Sequence, residues 1–299
     1  MLENNPTEKW WKRIGEKTEV KTISYSSANT MQNCGLQWRL KYVDKIEMVK
    51  PQLWAALGSS FHTTMKPVWL YGKAPKFRAV WEKYKRVPIE YKEKESWLMW
   101  QERGDAMTQA LAGVLLGKFD KRRTKVEVPD PVKLGGVILL RYIDVITVAK
   151  KMPIIIDGKE QMFSGSLHVD MKTAAQRYSL DSIARSQQLM TYEIPSKKIQ
   201  TPDLSAYAVV TKAVDPKVQL IGRVYAKEEI QGQIVRLKSA VDRIAAGDFT
   251  QQPGDACNRC DFVRLCFKHP DALEAYRVRR NRSRNKSANA DSTDGDKEA

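Results

Sequence analysis

Two textures divide the chain. From Leu53 to Lys118 apolar residues recur at helical spacing, with breaks at Gly72–Pro75 and at Pro88, and this predicts a set of helices. After Lys121 the pattern changes to short runs rich in β-branched residues. KVEVP (125–129), GGVILLRYIDVITVA (135–149), PIIID (153–157) and GSLHVDMKT (165–173) read as strands, as do LSAYAVVT (204–211) and VQLIGRVYA (218–226). Helices are predicted from about Asp181 to Ile194 and from about Lys227 to Ala246. Upstream, KTISYSS (21–27) reads as extended, and Ser26 or Ser27 caps a helix ANTMQNCGLQWRLKYV. On that helix Cys34, Trp38 and Tyr42 recur every four residues and share a face. The pattern as a whole predicts an α/β fold, a mixed sheet flanked by helices. It places a helical insertion at about 51–120 ahead of an α/β core at about 121–248. Residues 1–20 are polar and expected to be flexible. QQPGDACNRCDFVRLCF (251–267) is expected to be a loop, and the charged segment 277–299 to be disordered.

Composition narrows the partners. The chain has 299 residues and 42% hydrophobic content, enough for a sizeable core. Lys and Arg number 51 against 35 Asp and Glu, a formal net charge of +16. Such an excess favours a polyanionic partner, because neutralising phosphates releases counterions. No apolar run approaches membrane-spanning length, so no membrane partner is expected. The opening MLENNPTEKWWKRIGEK is polar and charged, unlike a signal peptide, and the expected location is the cytoplasm. All eight tryptophans fall within the first 100 residues. Packing of a helical core explains them better than a surface for stacking bases.

Four cysteines carry a separate signal. Cys257, Cys260 and Cys266 form C-x2-C-x5-C near the end, and Cys34 stands alone near the start. A C-x2-C loop can grip one metal centre, and a third thiol follows within reach. If Cys34 is the fourth ligand, the metal ties the two ends of the chain across more than 220 residues. Spacing alone leaves four readings open: disulfides, unrelated buried thiols, a zinc site or an iron–sulfur cluster. A reducing compartment disfavours the first.

The chemistry lies between the cysteines. In GSLHVDMKTAAQ (165–176), strand alternation puts Asp170 and Lys172 on one side. Metal-assisted phosphodiester hydrolysis needs a carboxylate to hold the metal and a lysine to position water or stabilise negative charge. Upstream, Asp144 interrupts the apolar run of the RYID strand; an acid there is paired, functional or at a strand end. His62 lies in GSSFHTTM near a helix start, and Gln188 and Tyr192 share one helical face. Taken singly, each has an ordinary structural explanation: a surface ion pair, a hydrogen-bonded histidine, a polar helix edge.

In their order, GSSFH (58–62), RYID (141–144), VDMKT (169–173) and QLMTY (188–192) resemble the RecB-like branch of the PD-(D/E)XK nucleases. The lone Cys34 with the later C-x2-C-x5-C is similar to that branch's iron–sulfur subgroup, which includes AddB-type, CRISPR-associated adaptation and phage nucleases. The resemblance covers residues 21–267 and implies a nuclease domain at 21–269 with a restriction-endonuclease-like fold. It further implies a cysteine-ligated [4Fe-4S] cluster joining the termini. By the same resemblance Asp144 and Asp170 ligate Mg2+ or Mn2+, with His62 as a further ligand and the Met171 carbonyl nearby. Lys172 orients or activates the attacking water, and Gln188 and Tyr192 support the site or the nucleic-acid strand. Glu127 is a weaker candidate, better explained as a structural ion pair. The implied activity is a metal-dependent DNA exonuclease acting on single strands or duplex ends in recombination, repair or phage DNA processing. A Walker-type loop is absent from the sequence, so any ATP-driven unwinding falls to a partner. A helicase, a recombinase or a single-strand annealing protein would fit. The competing reading is a non-catalytic nucleic-acid-binding module stapled by an iron–sulfur cluster or Zn2+.

One departure concerns spacing. Twenty-five residues separate Asp144 from Asp170, more than a compact hairpin needs, and a second D-x-K, Asp157-Gly158-Lys159, lies in the interval. Its D-G-K-E composition predicts a turn, so Asp170 is the preferred second carboxylate.

Overall fold

The computed structural model describes residues 21–46, 53–86, 89, 91, 95–134 and 136–266. Residues 1–20 and 277–299, expected to be flexible and disordered, lie outside the described residues. In chain order the elements are β1 (Thr22–Ser24), α1 (Tyr25–Asn33), α2 (Gly35–Trp38) and a π-helical turn (Arg39–Val43). Then come α3 (Leu53–Tyr71), α4 (Phe77–Trp81), α5 (Trp97–Leu115), β2 (Lys125–Leu134), β3 (Val137–Ile156) and β4 (Lys159–Ala174). The last are α6 (Leu180–Ala184), α7 (Gln187–Tyr192), β5 (Leu204–Thr211), β6 (Val218–Arg223), α8 (Lys227–Ala245) and α9 (Val263–Cys266). They form two compact units, one from Met1–Val49 with Ser239–Ala299 and one from Lys50–Lys238.

In the unit made from the two chain ends, the expected helix over 28–43 is not continuous. It starts earlier, capped by Ser24, whose Oγ accepts the Ser27 N–H at 3.1 Å. It stops at Cys34, which is extended (φ −166°, ψ 116°), and restarts at Gly35. A side chain at position 35 would press on backbone, since its Cβ would lie 2.6 Å from the Asp248 carbonyl oxygen. That close approach, with its demand for glycine, kinks the chain and puts Cys34 at a break rather than on a helical face. Trp38 still packs, stacked on Phe249 at 5.6 Å with Nε1 donating to Ser27 Oγ at 2.7 Å. The segment expected as a loop holds a 3-10 turn at Asp255–Arg259 and the short α9.

The other unit carries the sheet. Its strands run β2–β3–β4–β5–β6, antiparallel except for β4 beside β5. β3 also meets β6 in parallel at Ile155↔Ile221 and Ile156↔Gly222, so the sheet curls back on itself. Residues 135–149 and 153–157, expected as two strands, are one. A bulge between Ala149 and Met152, with Lys151 at φ 48°, accommodates the polar Lys150–Lys151 without ending the strand. Asp157 (φ 51°) and Gly158 (φ 81°) then make a two-residue hairpin turn. β2 runs beyond the expected Pro129, through Pro131 to Leu134, and pairs with β3 alone among the described residues. Such prolines are tolerated at a sheet edge, where the missing N–H faces away from the ladder.

The helix expected over 181–194 is two. Ser186 leaves the helical region and caps the second with its Oγ on the Leu189 N–H at 3.2 Å. α3 and α5 pack Phe61, Met65, Trp69, Met107 and Leu111 onto Val145, Leu167, Val169 and Met171. A second core joins Leu189 and Tyr192 of α7 to Ile143, Tyr207, Val209 and Ile221. Trp69, Trp81 and Trp100 are buried, and Trp54, 41% exposed, lies under the Lys212 ammonium at 4.1 Å. Most of the tryptophans of this unit serve packing. No helix among the described residues is long and apolar enough to cross a membrane.

Candidate active site

The site forms where β3 and β4 part. Their last paired residues are Val145 and Val169; beyond them β3 continues along β2 and β4 along β5. Asp144 and Asp170 are the next residues on the two arms. Ile143 and Val145, two residues apart, bury in different cores, so β3 twists through Asp144. That twist brings a carboxylate from an apolar strand into the fork.

Six sequence-predicted residues meet here: Asp170, Lys172, Gln188 and Tyr192 in one side-chain network, and Asp144 with His62 beside it on the Met171 backbone. Asp170 is 1% exposed, and its Oδ1 accepts the Tyr192 hydroxyl at 2.7 Å and Gln188 Nε2 at 2.5 Å. Its Oδ2 lies 2.8 Å from Lys172 Nζ, which also donates to Gln188 Oε1 at 2.8 Å. On the other arm, Asp144 Oδ2 accepts the Met171 N–H at 2.9 Å. His62 of α3 sits beside both, with Nδ1 3.5 Å from Asp144 Oδ2 and Nε2 3.0 Å from the Met171 carbonyl. Both neighbours are acceptors, so a neutral imidazole can satisfy only one. The spacing of Gln188 and Tyr192 works because α7 is capped to start at Gln187, one turn before Tyr192.

The electrostatics are those of crowded carboxylates. Burial, reinforced by the Asp170 carboxylate, pushes Asp144 up to about 6. Burial alone would lower the Lys172 ammonium, but Asp170 and Asp144 outweigh it and hold its pKa raised. Burial, then the same two carboxylates, keeps the Tyr192 hydroxyl a neutral donor. Lys172 is therefore a fixed positive charge at the fork.

Other candidates fall elsewhere. Asp157 and Lys159 are at the hairpin tip, beyond arms of twelve residues on β3 and eleven on β4 counted from the fork. Glu127 lies beside Asp144 in the β2 register but is ion-paired at 2.5 Å with Lys66, both half-exposed. One buried pair was missed: Asp130 and Arg141, opposite each other on β2 and β3. Arg141 breaks the same apolar run as Asp144, and that was the available signal.

The donor chemistry can be tested against a divalent cation. Among the described residues, no group of three or more His, Cys, Asp or Glu forms a ready metal cage. Mg2+ commonly takes only one or two carboxylates and completes its shell with water and substrate phosphate. Asp170 Oδ2 is buried with no hydrogen-bond partner and only the Lys172 charge beside it. Asp170 raises the protonation of Asp144, and an Asp170 oxygen that faces only an ammonium can exchange it for a hard cation.

In the unit of the two chain ends, Cys34, Cys257, Cys260 and Cys266 are free thiols lining one cavity of about 40 Å3 with Leu36, Leu40 and Phe262. Burial, then the neighbouring thiols, raises Cys260 and Cys266. Gln251 Nε2 donates to Cys266 Sγ at 3.1 Å. The four thiols share this cavity without forming a ready metal cage among the described residues.

Comparison with known proteins agrees in kind with the fork. The family model described as PD-(D/E)XK nuclease superfamily matches residues 22–267. No curated protein matches the sequence. Among solved structures, the chain is similar to an exonuclease candidate from Eubacterium rectale. That likeness has a TM-score of 0.47 and 11% identity, over 85% of this chain and 91% of that one. At that level it adds nothing to the family match.

Proposed function

The chain belongs to the PD-(D/E)XK nuclease superfamily, and we propose that it is a metal-dependent DNA nuclease, an exonuclease in mode, with its centre at the fork. The observation that carries this reading is the side-chain network of Asp170, Lys172, Gln188 and Tyr192, with Asp144 bonded beside it to the Met171 N–H. The net charge of +16 supports a polyanionic substrate. A Mg2+ or Mn2+ ion held by Asp144 and Asp170, with His62 and the Met171 carbonyl alongside, would supply Lewis acidity and an acidified water.

The chain's own groups do the rest. Tyr192 and Gln188 fix one oxygen of Asp170, which orients the other toward Lys172. Lys172, held protonated, orients a water and offsets negative charge developing on the phosphate. Unwinding is left to a partner, for which a helicase, a recombinase or a single-strand annealing protein is suited.

For the second unit we propose a [4Fe-4S] cluster held by Cys34, Cys257, Cys260 and Cys266, with Zn2+ as the alternative. The common cavity of the four thiols supports it. Absorbance at about 400 nm with matching iron and sulfide supports the cluster, and colourless protein with stoichiometric zinc replaces it.

End-labelled single- and double-stranded DNA, incubated with Mg2+ or Mn2+, tests the function. Wild type cleaves from ends, and Lys172→Ala loses about 100-fold or more. Asp157→Ala at the hairpin tip keeps full activity. Undiminished cleavage by Lys172→Ala overturns the reading.

A further inference from the structure

The fork poses a mechanical question. Beyond Val145 and Val169 no ladder pair joins the arm bearing Asp144 to the arm bearing Asp170. Ladder pairing therefore stops one residue short of the two carboxylates, and across the fork the arms meet through Asp144 Oδ2 and the Met171 N–H at 2.9 Å. Yet a centre of this kind works only when the separation is held closely. Something outside the ladder has to brace the arms.

A buried ion pair beside the fork joins β2 to β3 and reaches α7. Asp130 is 0% and Arg141 2% exposed. Arg141 donates to Asp130 Oδ2 through Nε at 2.8 Å and Nη2 at 2.5 Å. Its remaining nitrogen, Nη1, donates to the Thr191 carbonyl in the last turn of α7. Ser196, just past α7, donates its hydroxyl to Asp130 Oδ1 at 2.6 Å. The guanidinium thus uses one edge on β2 and its tip on α7. Carbonyls in a final helical turn lack an intrahelical partner, so Thr191 is a natural acceptor. The next residue along is Tyr192, and Gln188 is one turn back. Arg141 is three residues before Asp144 on the same strand.

We propose that Asp130 and Arg141 are positioning residues. They brace the β3 arm, and with it Asp144, against α7, and α7 in turn holds Asp170 through Gln188 and Tyr192. The two arms of the fork are linked by way of the helix instead of the ladder. A buried ion pair seldom adds net stability over apolar packing, whereas it can enforce one geometry. The planar fork of arginine, bonding to two elements at once, suits that role. Neither residue touches the reacting phosphate.

The activity arm of the test rests on the nuclease reading; the exchange arm does not. In full-length protein, Arg141→Met should speed amide hydrogen exchange across 187–192 while β5 stays protected. It should lower kcat by about 10- to 100-fold with KM for DNA nearly unchanged. Combined with Gln188→Ala, its effect on kcat should be much smaller than the product of the single effects, because both act on Asp170 through α7. Leu111→Ala, a buried change in the other core, should multiply with Gln188→Ala. If Arg141→Met does not fold, Asp130→Asn and Ser196→Ala keep the same comparisons with milder loss. Unchanged exchange across 187–192, or multiplicative effects for the Arg141 and Gln188 pair, overturns the brace. Wild-type protein that fails to cleave DNA while α7 exchange still responds sinks the nuclease reading and leaves the brace standing.

Discussion

The carboxylate fork and the thiol cavity are the two proposed metal sites, and they are held together in opposite ways. At the fork, donors from α7, β4 and α3 surround two acids, and each acid accepts hydrogen bonds from the protein itself. In the cavity, the lining includes Leu36, Leu40 and Phe262, and a side-chain amide reaches only one of the thiols, Cys266, among the contacts described. A site braced by its own hydrogen bonds keeps its shape when empty. One lined by apolar groups and crowded thiols takes its shape from what it binds, and that binding becomes folding energy. Loss of ligands should therefore strike activity at the fork and stability at the cavity.

The strongest way to break this contrast is Asp170→Asn. The amide keeps an acceptor for Tyr192 and Gln188, so the fold should hold with Tm changed little. Cleavage should fall by about 1000-fold or more, as loss of a metal-bearing carboxylate predicts. A large drop in Tm, measured by thermal melts beside the cleavage assay, would show that the fork is structural too.

Next in size is Cys266→Ser. Tm should fall by roughly 5–10 °C, and chelation of the wild type should reproduce the fall. Cleavage measured at low temperature should stay within severalfold of wild type. Activity lost at an unchanged Tm would erase the distinction between the sites.

The smallest effect sharpens the comparison by asking what a buried acid costs when no such network holds it. Glu193, at the end of α7, is buried with Oε1 unpartnered, and burial pushes its carboxyl up to about 7. Because the folded pKa lies above the unfolded value, the folded state binds the proton more tightly. Stability then declines as pH rises from the unfolded value to about 7, and the full cost is present above that. Glu193→Gln should stabilise by about 1–2 kcal/mol at pH 8 and by almost nothing at pH 4, read from denaturant melts. Equal gains at both pH values would remove protonation as the cause.

Much of this was legible in residue order. The run 204–211 is β5 with the same bounds, and the β-branched texture after Lys121 is the sheet. That these residues lie together at the proposed site was legible because D-x-K alternation and the Gln188/Tyr192 spacing are local. The long interval between Asp144 and Asp170 is explained by arms of twelve and eleven residues meeting at the Asp157–Gly158 turn. What stayed hidden depends on distant packing. The break at Cys34 comes from the Asp248 backbone pressing on Gly35, more than 200 residues away in sequence. The split of the helix at Ser186 turned on a serine choosing to cap, which a local pattern shows only as one option among several. Asp130 lies between two prolines, beyond the strand expected to end at Pro129, and only Arg141 opposite shows it to be a buried anion.

The outer flank of β2 has a bearing on how copies of this protein behave in a crowd. An unpaired strand invites a neighbour's strand to add to it, most dangerously while a chain is leaving the ribosome or is concentrated in a tube. Pro129 and Pro131 each lack an amide hydrogen, so this flank offers an incoming strand broken rather than continuous bonding. Threonine at both positions would restore the missing donors and turn a non-stick border into an adhesive one.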